Sequence, residues 1–369
     1  MDDVLAAARR RVETMRFTGD NVRGAASTGQ IDHWRAKLSH NALKISREVT
    51  PELAERWETV LDRLEIAHAS ASAYVYASAD LSADVMLDDS AQCVVRFSSG
   101  LVDKLDAQEF MFVAGHELGH FLLGHSGMPG GGDPTLEDLM AVRAGEISVD
   151  RVGLLAAGDV DTSVRAMMKS LSGLGGTHLR FDVQAFLRQL NQGRAVEAVS
   201  MGNSTHPSFL VRTRALLWFA MTGSHLAGTP ALSPEERERI DARIHSDLAR
   251  FVDGPARDAI REASDDVLLW MCAATIVQQG KFSKDAQSAV RAHFGPELVD
   301  KLTTFLGGLA HRAAPEAVGK KVLDASRALQ SMIPRGFPNE IRKIGLQVES
   351  MLHTQIASMC DDNASATDT

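Results

Sequence analysis

Apolar positions change their spacing several times along the chain. From Val4 to Ala67 they recur at helical intervals and predict three helices, Val4–Phe17, Ile31–Arg47, and one that opens at Thr50-Pro51-Glu52 and runs to Ala67. A Gly- and Ser-containing link, Asn21–Gln30, parts the first two. From Ala71 the period shortens. Ala73-Tyr74-Val75-Tyr76-Ala77 and Gln92-Cys93-Val94-Val95-Arg96-Phe97 are β-branched or aromatic runs separated by Asp- and Ser-rich turns, which predicts a small sheet. Phe110 to His125 is then apolar on nearly every side, the pattern of a buried helix. Helical spacing returns after it in Pro134–Ala157, Thr162–Leu174, Phe181–Asn191 and Pro234–Phe251. It continues through Ala256–Gln278, Ser283–His293, Glu297–Leu309, Pro315–Ser331 and Asn339–Met359. The fold class is α+β and mainly α.

The buried helix carries the chemistry. Asp106 with Glu109 reads as its capping box, and Gly127-Met128-Pro129-Gly130-Gly131-Gly132 stops it. Inside lies His116-Glu117-Leu118-Gly119-His120. Residues four apart share a helix face, so His116 and His120 can present two imidazole nitrogens to one metal ion. Glu117 then stands beside the metal, where a general base takes a proton from water. Two core histidines satisfied by backbone carbonyls would be the plainer explanation, but it leaves Glu117 buried without a purpose.

A catalytic zinc site wants a third protein ligand. A continuation of the motif would need glycine where Leu123 stands and histidine where Ser126 stands. His125 is five residues past His120, about 140° round a continuous helix, so it is expected to end the helix rather than join the site. The better candidate is Glu146, with Asp150 one turn on, in the helix that Asp133-Pro134 opens. Glu146 would ligate the metal, and Asp150 would accept the N–H on the far side of a ligating imidazole. Imidazole and carboxylate donors at this spacing favour one zinc ion per chain.

HELGHFLLGH, then EISVDRVGLLAAG, then THPSFLVR resembles the M48 metallopeptidases, the family of the CAAX prenyl protease and the HtpX heat-shock protease. The likeness runs over roughly residues 71–222. It implies a gluzincin-type zincin fold and a zinc endopeptidase acting on polypeptides, with Glu117 as general base. It also brings in His206-Pro207 and Arg212. His206 would donate a hydrogen bond to the oxyanion or reach the zinc as a fourth ligand and hold the enzyme latent. Arg212 would neutralise the intermediate or, more in keeping with an interior arginine, pair with Asp150 or another carboxylate.

Four segments are expected: N-terminal helices (1–68), a metallopeptidase domain (69–228), a C-terminal helical domain (229–360) and a polar tail (361–369). A net charge of −9 argues against a nucleic-acid surface. Cys93, Cys272 and Cys360 form no disulfide framework, and the charged N-terminus has no secretory apolar core. No apolar run reaches a membrane span, unlike the integral-membrane branches of the family. A soluble, cytoplasmic protein is the expectation, with a protein partner or self-association through the C-terminal helices. Two alternatives stand beside the broad endopeptidase. One is a regulatory peptidase of the ImmA/IrrE type that cuts one partner; the other is a latent zinc-bound scaffold.

Overall fold

The computed structural model describes residues 2–20, 22, 29–87, 91–125, 133–191, 205–226, 232–280, 283–308 and 313–352. It divides into two compact units, Met1–Pro134 with Asp138–Gly254, and Thr135–Glu137 with Pro255–Thr369.

The first unit opens with helices α1 (Asp2–Glu13), α2 (Gln30–Asn41) and α3 (Pro51–Arg63). A four-stranded mixed sheet is built from β1 (Leu43–Lys44), β2 (Ala71–Tyr76), β3 (Ala83–Leu87) and β4 (Cys93–Ser98), in the order β1-β2-β4-β3. β2 and β4 run parallel, from Ala71 opposite Cys93 to Tyr76 opposite Ser98. β3 lies antiparallel to β4, with Ala83 opposite Phe97, and forms one edge of the sheet. Two of these strands depart from the expectation. The helix expected over Ile31–Arg47 stops at Asn41, because Leu43 and Lys44 pair with Val75 and Tyr74. β3 falls in a stretch read as turns; its pairing with β4, not its own composition, makes it a strand.

Behind the sheet lie α4 (Ser99–Lys104), α5 (Ala107–Leu123), α6 (Leu136–Ala157) and α7 (Val160–Ser172). The unit is completed by α8 (Val183–Arg188), α9 (Phe209–Ala220) and α10 (Pro234–Phe251). The Asp106–Glu109 capping box is present in full, and Glu109 is itself buried against Lys169, whose Nζ lies 2.5 Å from Oε2. Val95, Phe97, Met111, Leu118, Phe121, Val149 and Val152 fill the core between sheet and helices. Small residues let α5 and α6 approach closely. A Cβ on Gly115 would stand 2.3 Å from the Ala156 Cβ, and one on Gly119 3.1 Å from Val149. That approach sets the motif histidines against the carboxylates of α6.

Residues 2–20 and α10 also belong to this unit. Phe17, Val211, Ala215, Ile244, Leu248 and Phe251 share one apolar cluster, and the first unit reaches Gly254. The elements described in the second unit are helices: α11 (Gly254–Gln279), α12 (Lys284–Phe294), α13 (Pro296–Gly307), α14 (Ala314–Met332) and α15 (Phe337–Leu352). Val267, Leu268, Cys272, Leu329, Ile344 and Val348 form its core. The end of the last expected helix, Cys360 and the tail lie outside the described residues. The chain is therefore mainly helical with a small mixed sheet, and no described helix is long and apolar enough to cross a membrane.

Candidate active site

α5 and α6 bring three candidate metal ligands together. One ligand atom each from His116, His120 and Glu146 lies within 4.8 Å of the others. His116 Nε2 stands 3.7 Å from Glu146 Oε2, and His120 Nε2 stands 3.6 Å from Oε1. Both separations exceed a hydrogen bond and lie close to the roughly 3.4 Å between neighbouring ligands of a tetrahedral zinc. Glu146 is 2% exposed, and its Oε2 accepts no hydrogen bond, although Arg212 Nη1 lies 3.1 Å away as an ion pair. A buried carboxylate whose two oxygens each face an imidazole nitrogen, one of them accepting no hydrogen bond, is a donor set that fits a zinc ion.

Around this set stand the other expected residues. Asp150 Oδ1 lies 3.0 Å from His116 Nδ1, so the proton on that nitrogen is held by the carboxylate and Nε2 keeps its lone pair toward Glu146. Arg212 donates to both oxygens of Asp150, and its Nη2 also passes 3.3 Å from His116 Nδ1. Glu117 is buried in the same cavity of about 230 Å³, which reaches from Ala83 of β3 to His206 and Phe209. His206 is more open: its Nε2 lies 3.4 Å from Glu146 Oε1, its Nδ1 lies 2.8 Å from the Thr205 hydroxyl, and its side chain is 61% exposed. A larger cavity of about 780 Å³, bordered by Arg11, Arg63 and His225, shares none of these residues.

Burial sets the charge states. It pushes the Glu117 carboxyl up to about 7, with the neighbouring His116 opposing. It also pushes His120 down to about 3, which keeps that ring neutral. For Glu146 burial pulls upward, but Arg212 and the two motif histidines outweigh it and leave the group below the ordinary carboxylate range. The same contest at Asp150, with Arg212 again decisive, ends at about 2. His116 is raised, its bond to Asp150 overcoming the cost of burial. Two ionised carboxylates and a third that exchanges its proton near neutral pH therefore share one small space.

Two residues were not anticipated here. α5 ends at Gly124, whose φ of 73° is left-handed, and the chain turns back so that His125 N donates to His120 O. The turn brings His125 Nδ1 to 3.1 Å from His120 Nδ1, whereas a continued helix would have carried it away. Its other nitrogen, Nε2, lies 3.0 Å from Asp20 Oδ2. Gly124 next to His125 was a visible C-cap signal; Asp20, some hundred positions earlier, had none.

No curated protein and no solved structure matches the chain. A family model does, over the stretch from the loop before α3 through the motif helix, leaving Glu146, Asp150, His206 and Arg212 beyond its end. That model is Peptidase family M48, matched by residues 48–129, a stretch that includes the His116-Glu117-Leu118-Gly119-His120 motif.

Proposed function

We propose that the protein is a zinc-dependent endopeptidase of the gluzincin type, with His116, His120 and Glu146 holding the metal. The observation that carries this reading is the meeting of three donors from α5 and α6, two of which, His116 and Glu146, line a cavity together with Glu117. When bound, zinc supplies Lewis acidity and brings the pKa of water towards ~7.

The chain's own residues do the rest. Glu117, with its carboxyl near 7, takes a proton from the attacking water and passes it to the departing amine. Water is the attacking group in this reading, so no covalent intermediate forms. Asp150 and Arg212 hold His116 in register. The edge position of β3, with Ala83 in the cavity wall, supports an extended substrate adding to the sheet as a further strand. That mode grips the main chain of any sequence, as protein quality control or regulated proteolysis requires.

His206 acts in one of two ways, and the Thr205 hydroxyl permits both. If that hydroxyl donates to Nδ1, the His206 proton sits on Nε2 and serves an oxyanion. If it accepts, Nε2 has a lone pair that can enter the donor set and hold the enzyme latent. The 3.4 Å approach of Nε2 to Glu146 supports this second state. Buried, unpaired Cys93 and Cys272 suit a reducing compartment, in keeping with a cytoplasmic location.

The test is cleavage of an unfolded protein by the purified full chain and by Glu117→Gln, with zinc quantified in each. Equal metal with a fall in turnover of about 10²–10⁴-fold is expected. Full activity in Glu117→Gln would overturn the mechanism. A single cut in one partner would favour a regulatory peptidase; zinc without cleavage, even in His206→Ala, would favour a scaffold.

A further inference from the structure

Each candidate histidine ligand has a second ring nitrogen, and the two are served differently. His116 Nδ1 meets the Asp150 carboxylate directly. His120 Nδ1 meets another imidazole, that of His125, which in turn meets Asp20. The direction of this chain of bonds follows from its far end. A carboxylate only accepts, so Asp20 requires the proton of His125 to be on Nε2. His125 Nδ1 is then a lone pair, and His120 must give its Nδ1 proton to it. The His120 Nε2 left over has no proton and faces Glu146 at 3.6 Å. The opposite order would set two lone pairs against each other at Asp20 and aim an N–H at the donor set.

Asp20 is held in place by the segment that carries it. Phe17 N donates to Ser148 Oγ, and Thr18 donates through both N and Oγ1 to Asp241, whose other oxygen takes a bond from buried Arg151. Arg16 Nη1 pairs with Asp20 at 3.1 Å, while its Nη2 donates to the carbonyl of Leu123 at the end of α5. Asp20 is 4% exposed and His125 7%. Room for the imidazole comes from Gly145, where a Cβ would stand 3.2 Å from His125 Cε1, one residue before Glu146.

We propose that Asp20 and His125 are positioning residues that fix the His120 tautomer, so that metal affinity depends on the docked segment before residue 21, outside the stretch matched to the family. The proposal rests on the zinc reading of His116, His120 and Glu146. His125→Gln keeps the direction of the bonds, since an amide oxygen accepts from His120 and its NH₂ donates to Asp20. His125→Leu fills similar space and breaks the relay; Asp20→Asn allows it to reverse.

The experiment is zinc affinity of the full chain, measured by competition with a chelator, for these three variants and the wild type. His125→Leu and Asp20→Asn are expected to bind about 10- to 100-fold more weakly, with His125→Gln close to wild type. His125→Leu binding as tightly as wild type, or His125→Gln failing as badly as His125→Leu, overturns the relay. Wild type and all variants failing alike would remove the zinc reading beneath it. Imidazole ¹⁵N shifts of the unsubstituted chain give a check that needs no variant to fold: protons on His120 Nδ1 and His125 Nε2 are expected, and a proton on His125 Nδ1 overturns the proposal.

Discussion

Arg212 grips Asp150 with two nitrogens at once, Nε at 2.8 Å from one carboxylate oxygen and Nη2 at 2.6 Å from the other. All of this lies in the interior, where the pair also faces Glu146. Removing the guanidinium would leave two buried carboxylates without their main counter-charge. Arg212→Met, which keeps much of the volume, should therefore cost the metal-free protein about 3–5 kcal/mol of unfolding free energy. A loss too small to measure in urea unfolding would mean that Asp150 and Glu146 find other donors.

His206 offers a cleaner division between its two roles. As an oxyanion donor, its loss in His206→Ala should lower kcat by about 10²-fold while leaving zinc content unchanged. Were it instead a latch, the same variant would cleave faster than wild type. Steady-state kinetics on one unfolded substrate distinguishes the two.

Gly115 tests the link between packing and chemistry. A methyl group there would press on Ala156 at 2.3 Å, and neither helix backbone can yield without moving the other. Gly115→Ala should cost about 1–3 kcal/mol of stability through overpacking. Because it separates α5 from α6, it should also weaken zinc binding. A destabilised variant with undiminished affinity would show that the donor set tolerates a shift of the helices.

Asp20 predicts a pH dependence. Burial alone would raise its pKa, but the bond from His125, with Arg16 beside it, holds it below the ordinary value. A group depressed in the folded state stabilises the fold above its unfolded pKa, near ~4, and that stability is lost as pH falls through the folded value. Wild type should thus be more stable than Asp20→Asn at neutral pH, with the gap closing below about pH 4. Urea unfolding across this range checks it; a gap that persists or widens on acidification would contradict the assignment.

The parts of the site that sequence made visible are those written locally. The capping box, the i,i+4 histidines and the Glu146–Asp150 pair each lie within a few residues of one another, and a helix has one geometry for such spacings. Arg212 was legible as a cation in need of a partner. What escaped depends on distant segments. β1 and β3 are strands because β2 and β4 offer them hydrogen bonds, and α10 belongs to the first unit because Ile244 and Phe251 meet Phe17 and Val211. His125 was lost through treating the helix as continuous past Gly124, where one left-handed residue reverses the direction of the chain.

β3 closes one side of the sheet with a row of backbone groups, and the pairing proposed for a substrate there would serve a β3 from another copy equally well. Asp84, the second residue of the strand, is paired with Arg96 of β4 at 2.8 Å. Two such edges brought together would set Asp84 against its twin, whereas a peptide arriving from elsewhere meets no such conflict. The edge therefore carries its own guard against self-pairing, and the same carboxylate lies near enough to Glu117 to help raise its carboxyl.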